Sequence, residues 1–242
     1  MKKAEIKQFA VIAAGEGSRL QEEGIETPKP LVMIHGEAMI DRLIRIFMAN
    51  GAEKIVLVIN NIYPQVEQHI RELAKRTTNC KIEWVVANTP SSMHSFHALS
   101  HLLNDAPFCL TTVDTIFKEN DFAHYLEVFK NTDSDGVMAV TDYIDDEKPL
   151  YVEVTHEGQI RGFHDTTSAC PYISGGIYGL KGKALKTLNR CMAEGQHRMR
   201  NFQRALIADG LQLQAHPFTK ILDIDHASDI AKAEAFLKED NY

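Results

Sequence analysis

The sequence predicts an α/β protein built on a mostly parallel, mixed sheet with helices on both faces. Three observations carry that expectation. Apolar, strand-like runs alternate with amphipathic helical stretches through the first half of the chain. Those runs are continuously apolar, as strands covered on both faces must be. From Gly136 onward the strict alternation gives way to shorter strands and a hairpin, which adds antiparallel pairs to the sheet.

The elements follow in order. Phe9-Ala10-Val11-Ile12-Ala13-Ala14 is a buried strand that empties into Gly15. Ala38 to Asn50 places Ile40, Leu43, Ile44 and Phe47 at helical spacing and stops at Gly51. Lys54 to Ile59 is a second buried strand, and Tyr63 to Arg76 a helix with Val66, Ile70 and Leu73 on one face. Ile82 to Val86 is the next strand, Met93 to Leu103 the next helix, and Phe108 to Val113 a strand ending at Asp114. In the second half, Gly136 to Thr141 is a strand. Tyr151 to Val154 and Gln159 to Arg161 form a hairpin around Glu157-Gly158, and Tyr172 to Leu180 is a strand interrupted by Gly175-Gly176. Helices over Lys183–Glu194 and Met199–Asp209 precede a strand at Leu211–Pro217. Ile221 to Asp225 is the last strand, followed by a helix through Leu237. No linker, internal repeat or low-complexity stretch divides the chain, so one domain over residues 1–242 is expected.

Composition narrows the function classes. A chain of 242 residues with 44% hydrophobic and 24% charged residues buries a full core. A net charge of −7 argues against a general nucleic-acid binder but not against an anionic ligand held by local cations. No apolar run is long enough to span a bilayer, and the charged start, with Lys2, Lys3, Glu5 and Lys7, does not read as a signal peptide. The cytoplasm is the expected compartment. Cys80, Cys109, Cys170 and Cys191 are scattered without a Cys-x-x-Cys pair, which fits structural thiols better than disulfides or zinc. His94 and His97 lie three apart without an obvious third ligand.

The most informative stretch is Ala13-Ala14-Gly15-Glu16-Gly17-Ser18-Arg19-Leu20 with Thr27-Pro28-Lys29-Pro30 after it. Glycines directly after a buried strand let backbone N–H groups approach a phosphate. Arg19 offers a planar fork of donors, and Lys29 a point charge after a proline-stiffened turn. The pattern is neither a P-loop nor a dinucleotide fingerprint, because Leu20 stands where the latter needs its third glycine. Ligands of open α/β sheets sit beyond the carboxyl ends of strands, so Asp114 falls on the same rim as the glycine loop.

These residues resemble the signature of the nucleotidyltransferase superfamily, the nucleotide-sugar pyrophosphorylases and related NTP transferases of short, single-domain type. There, Gly-x-Gly-Ser/Thr-Arg is followed within about a dozen residues by Pro-Lys. The resemblance implies a Rossmann-like, three-layer α/β/α fold. It implies a reaction that joins a nucleoside triphosphate to a phosphorylated small-molecule acceptor, with release of pyrophosphate and with Mg²⁺ as cofactor. The length further suggests that no β-helix or acyltransferase domain follows.

Carried onto this chain, the resemblance makes Arg19 and Lys29 catalytic, and Ala13, Ala14, Gly15, Gly17 and Ser18 the triphosphate loop. Asn88 stands where relatives recognise the base, with Ser91 and Ser92 either contacting the ligand or capping the following helix. Asp114 is one metal ligand, although Val113 precedes it where relatives commonly have Gly. The second comes from Leu222-Asp223-Ile224-Asp225, with Asp223 and Asp225 both open and Asp225 favoured; the alternative for Asp225 is a helix cap. Strand alternation would put the two on one side. Ser174-Gly175-Gly176-Ile177-Tyr178 resembles the acceptor-lining strand, so Gly176 is an acceptor residue. The acceptor lysine of the sugar-phosphate enzymes is missing from Phe163-His164-Asp165-Thr166-Thr167; Lys220, or else Lys148, is its candidate substitute. The acceptor is a sugar 1-phosphate or a small phosphorylated alcohol such as phosphocholine. A non-catalytic nucleotide-sugar binder and a nucleotide-sugar-dependent glycosyltransferase stay open as alternatives. The first has little use for two metal carboxylates, and the second lacks its mid-chain Asp-x-Asp.

Overall fold

The computed structural model describes residues 5–145, 148–166 and 170–238; Thr167 therefore lies outside the described residues. Each predicted strand forms, and in the parallel block the apolar runs are covered by helices on both faces. The parallel block consists of β1 (Gln8–Ala13), β4 (Lys54–Ile59), β5 (Lys81–Val86) and β6 (Phe108–Thr112). Between β1 and β4 lie α1 (Ser18–Glu22), a single 3-10 turn at Lys29–Leu31, a short hairpin of β2 (Met33–Ile34) and β3 (Glu37–Ala38), and α2 (Met39–Ala49). Helix α3 (Pro64–Arg76) joins β4 to β5, and α4 (Ser92–Ser100) joins β5 to β6.

The second half supplies β7 (Thr115–Phe117), α5 (Glu119–Asn131), β8 (Gly136–Thr141), β9 (Tyr151–Val154), β10 (Ile160–His164) and β11 (Tyr172–Leu180). It closes with α6 (Lys183–Ala193), α7 (Met199–Ala208), β12 (Leu213–Pro217), β13 (Ile221–Asp223) and α8 (Ala227–Lys238). The nine-stranded sheet runs β10-β9-β11-β6-β1-β4-β5, with β8 also on β11 and β12 on β8. Following the pairings, β10 and β11 oppose the other strands of this sheet, which all run one way. The result is a Rossmann-like, mostly parallel mixed sheet.

Strand alternation divides the core into two layers. Phe9, Val11 and Ala13 of β1 and Ile55, Leu57 and Ile59 of β4 pack with the apolar faces of α2, α3 and α5. Ala10 and Ile12 with Val56 and Val58 pack on the other side with α4, α6 and α7. Aromatic stacking reinforces the first layer, with ring centroids 4.6 Å apart for Phe9–Phe47 and 5.0 Å for Phe117–Phe122. The four cysteines are free thiols, and no helix among the described residues is long and apolar enough to cross a membrane.

Several local features differ from the sequence expectation; α1, the β2–β3 hairpin and β7 are additions to it. Helix α5 was not anticipated, although Phe122, Leu126 and Phe129 carry its helical spacing; with Tyr125 they form its buried face. Strand β6 ends at Thr112, so Asp114 sits in the tight connection to β7. The last strand ends at Asp223, which removes the alternation argument for Asp223 and Asp225: Asp225 lies beyond the strand and turns elsewhere.

Candidate functional site

The connections from β1 and from β6 diverge to opposite sides of the parallel block, so the space between their carboxyl ends is a topological switch point. A cleft of about 770 Å³ opens there. Its floor is the glycine loop, and Lys29, Asn88, Ser92, Asp114 and Asp225 stand around it. Ala14, Gly15, Gly17, Ser18 and Arg19 also line it. Ala13 does not; its side chain is 2% exposed and belongs to the core under α2 and α3.

Gly17 is required by geometry. Its φ is +68°, and a Cβ there would stand 3.1 Å from Lys29 Cβ. The glycine thus lets the 3-10 turn carrying Lys29 close against the loop. Asn60, which the sequence reading passed over, holds the loop from below. Its Nδ2 donates to the carbonyls of Ala14 and Gly15, each at 3.2 Å, and its Oδ1 accepts from Ile62 N at 3.1 Å. Tyr63 Oη donates to the Glu16 carbonyl at 3.1 Å and accepts from the Gln21 amide. The signal for Asn60 was its position directly after a buried strand, on the rim shared with the glycine loop.

The electrostatic centre is Lys29. Its ammonium is ion-paired to Asp114 and, at 2.7 Å, to Asp225 Oδ1. Arg19 Nη1 adds a looser contact at 3.4 Å to Asp225 Oδ2. Burial opposes the Lys29 charge, but the attraction of Asp114 and Asp225 overrides it and holds the ammonium above the usual lysine range. Burial likewise works to raise the Asp114 carboxyl, and the Lys29 ammonium with a Thr112 hydrogen bond brings it below the usual carboxylate range. The two carboxylates meet through strand pairing. β7 and β13 run antiparallel, with Thr115 opposite Asp223, and Ile224 N donates to the Asp114 carbonyl at 3.2 Å.

The capping alternative for Asp225 is answered by its neighbours. Asp229 Oδ2 accepts from the backbone N–H of Asp225 and His226 at 3.2 and 2.8 Å, and Glu23 Oε2 accepts from Ala227 N at 2.6 Å. The start of α8 is satisfied by Asp229 and Glu23, which leaves the Asp225 carboxylate on the cleft. Ser91 is the N-cap of α4, accepting from His94 N, while Ser92 is the first residue of that helix; both line the cleft. Asn88 is tied in a reciprocal pair with Asn61, donating to its Oδ1 at 2.7 Å and accepting from its N–H at 3.1 Å.

The donor set fits Mg²⁺. Asp114 and Asp225 converge on one cationic position, and Mg²⁺ is commonly held by one or two carboxylates with phosphate and water completing its sphere. Among the described residues, no group of three or more His, Cys, Asp or Glu side chains is arranged to hold a metal ion.

A second cleft of about 340 Å³ shares Arg19 and Asp225 with the first. Tyr143, Lys148, Ser174, Gly175 and Asp223 line it. A Cβ on Gly175 would stand 2.2 Å from Ile221 Cδ1, so this glycine permits β11 to cross closely over β13. Gly176 and Lys220 line neither cleft. Gly176, at φ +73°, sits in the irregular stretch of β11, and the Lys220 ammonium lies 3.9 Å from the centre of the Tyr143 ring. Asp165, in the stretch that lacks an acceptor lysine, is held by Arg200 at 2.5 Å and Arg204 at 2.8 Å.

The family model of the MobA-like NTP transferase domain matches residues 9–208, and the chain belongs to this family. It is 28% identical over 150 residues, 61% of its length, to mannose-1-phosphate guanyltransferase of Hypocrea jecorina. It is 26% identical over 159 residues, 57% of its length, to CMP-5'-(3-aminopropyl)phosphonate synthase of Streptomyces rubellomurinus. The matches span only 40% and 24% of those two relatives. The structure of the inositol-1-phosphate CTP transferase from T. maritima superposes with a TM-score of 0.80 at 18% identity and covers 98% of both chains.

Proposed function

We propose that this chain is a Mg²⁺-dependent nucleotidyltransferase. It joins a nucleoside triphosphate to a sugar 1-phosphate or a small phosphorylated alcohol of the phosphocholine kind. The observation that carries this reading is the convergence of Lys29, Asp114 and Asp225 beside the glycine loop at the switch point of the sheet. Membership of the MobA-like family supports it, as do relatives named for guanyl and cytidyl transfer to phosphorylated or phosphonate acceptors.

The triphosphate lies along the glycine-loop N–H groups, and Arg19 binds its β- and γ-phosphates. The nucleoside extends toward Asn88 and Ser92. The acceptor occupies the second cleft, so its phosphate meets the α-phosphorus where the two clefts share Arg19 and Asp225. An acceptor phosphate oxygen forms the new P–O bond to the α-phosphorus. The bond from that phosphorus to the bridging oxygen breaks, and pyrophosphate leaves along the glycine loop. Lys29 stabilises the charge that builds on the equatorial oxygens. Asp114 and Asp225 would hold the Mg²⁺, which would supply further neutralisation of that charge when bound.

The test is a matrix of the four NTPs against sugar 1-phosphates and phosphorylated alcohols, read as pyrophosphate release. Release that needs both an NTP and an acceptor supports the reading. Hydrolysis of a nucleotide-sugar alone would overturn it in favour of a glycosyltransferase, and tight nucleotide binding without turnover in favour of a binding protein.

A further inference from the structure

We infer that Asn60 is a positioning residue for the triphosphate, acting through the backbone of the glycine loop; the inference rests on the nucleotidyltransferase reading above. One side-chain amide group donates to two successive loop carbonyls, Ala14 and Gly15, and its oxygen closes the turn at Ile62. A trans peptide directs its N–H opposite to its carbonyl. Drawing these carbonyls toward β4 therefore turns the N–H groups of Gly15 and Glu16 toward the cleft. The Tyr63 hydroxyl does the same at the next peptide by donating to the Glu16 carbonyl, which turns the Gly17 N–H the same way.

Glycines impose no such order by themselves. Gly15 carries no Cβ to restrict its φ and ψ, so its two peptides take their orientation from the groups that bind their carbonyls. Asn60 is 6% exposed, so its bonds to the loop are made with little competition from water. Anchored at the end of a rigid central strand, it makes the row of donors a fixed feature of the sheet, and no ordering cost is added when phosphate arrives. An aspartate in its place keeps size and shape and keeps the acceptor for Ile62 N–H, but it turns a negative oxygen on both carbonyls.

The test uses Asn60→Asp and Tyr63→Phe in the full chain. Binding of inorganic tripolyphosphate, and of the NTP that gives most pyrophosphate release, is followed by calorimetry, alongside steady-state kinetics and thermal melting. Asn60→Asp is expected to weaken both ligands about tenfold or more at pH 7.5 while the acceptor KM stays within about twofold. Its affinity relative to wild type is expected to recover as pH falls, because a protonated carboxyl at position 60 regains a donor, and to be weakened at pH 7.5 even at temperatures where melting shows the variant fully folded. Tyr63→Phe, which removes a single hydroxyl, is expected to weaken them about threefold and provides the test if Asn60→Asp melts early. Wild-type affinity in both folded variants overturns the inference, as does a pH profile parallel to wild type. Failure of the wild-type protein itself to bind any NTP overturns the nucleotidyltransferase reading instead.

Discussion

The two clefts meet at Arg19 and Asp225 but are built in opposite ways. The first rests on backbone: strand ends of a parallel block, a glycine loop clamped by Asn60, and a buried Lys29 between two carboxylates. The second rests on side chains carried by β11, β13 and α8, many already paired with one another, as Lys232 is with Asp145 and Asp229 at 2.9 and 3.1 Å. On the proposed function, the difference teaches where specificity would reside. A triphosphate is common to every nucleotide donor, so a rigid backbone cradle suits it. Acceptors vary in the part beyond their phosphate, and exposed side chains can be exchanged without disturbing the sheet.

The comparison breaks most visibly at Asp114. Asp114→Ala is expected to lower Mg²⁺-dependent turnover by about a thousandfold or more, with the fold retained by circular dichroism. Near-normal turnover would remove the metal from this position.

Lys29→Met comes next, with kcat down about a hundredfold through lost charge stabilisation. If KM for the NTP rises and kcat does not fall, Lys29 binds the ground state only. The same variant tests the buried ion group by stability. Breaking it is expected to cost about 1–2 kcal/mol near neutral pH, because Asp225 is half exposed and screened by solvent. Because Asp114 sits below its usual range in the fold, its share is present above the carboxylate range and vanishes as pH falls through it. The raised Lys29 keeps its share up to the ordinary lysine range and loses it above. The gap between wild type and variant in urea melts is therefore widest between those limits and narrows in acid. A gap independent of pH would mean that the ion group contributes nothing. Adding Mg²⁺ without nucleotide is expected to raise the melting temperature of the variant more than that of wild type, since the ammonium no longer fills the space between the carboxylates.

Asp223→Asn probes the other cleft. It is expected to raise the acceptor KM about tenfold and leave NTP affinity unchanged by calorimetry. Equal effects on both substrates would erase the distinction between the clefts.

The smallest effect belongs to Gly17→Ala. With φ at +68° and Lys29 Cβ in the way, it is expected to cost about 1–2 kcal/mol in denaturant melts, with a modest loss of turnover as Lys29 is displaced. An unchanged midpoint would show that the loop adjusts at no cost.

Much of this was legible along the chain because it is local. The continuously apolar runs at β1, β4 and β6 announce strands covered on both sides, and the rim they share follows from their common direction. Gly15, Gly17, Arg19 and Lys29 lie within 15 residues, close enough for their spacing to carry meaning. Helix α5 shows the limit even of local signals, since its spacing sat unread between two polar turns.

What the sequence by itself determined is therefore the doubly wound half of the sheet and the residues of the glycine loop that line the cleft at its edge. Hydrophobic periodicity and backbone stereochemistry act over a few residues, and both are written in neighbouring positions. Only the tertiary structure set Asp225 rather than Asp223 on the first cleft, moved Lys220 onto the Tyr143 ring and gave Asn60 its carbonyl partners. The place of Asp225 depends on β7 pairing with β13 across about a hundred residues and on a strand that ends two positions before it, and that of Asn60 on the parallel register of β1 and β4. Long-range register is set by the packing of the whole core, which no local pattern encodes.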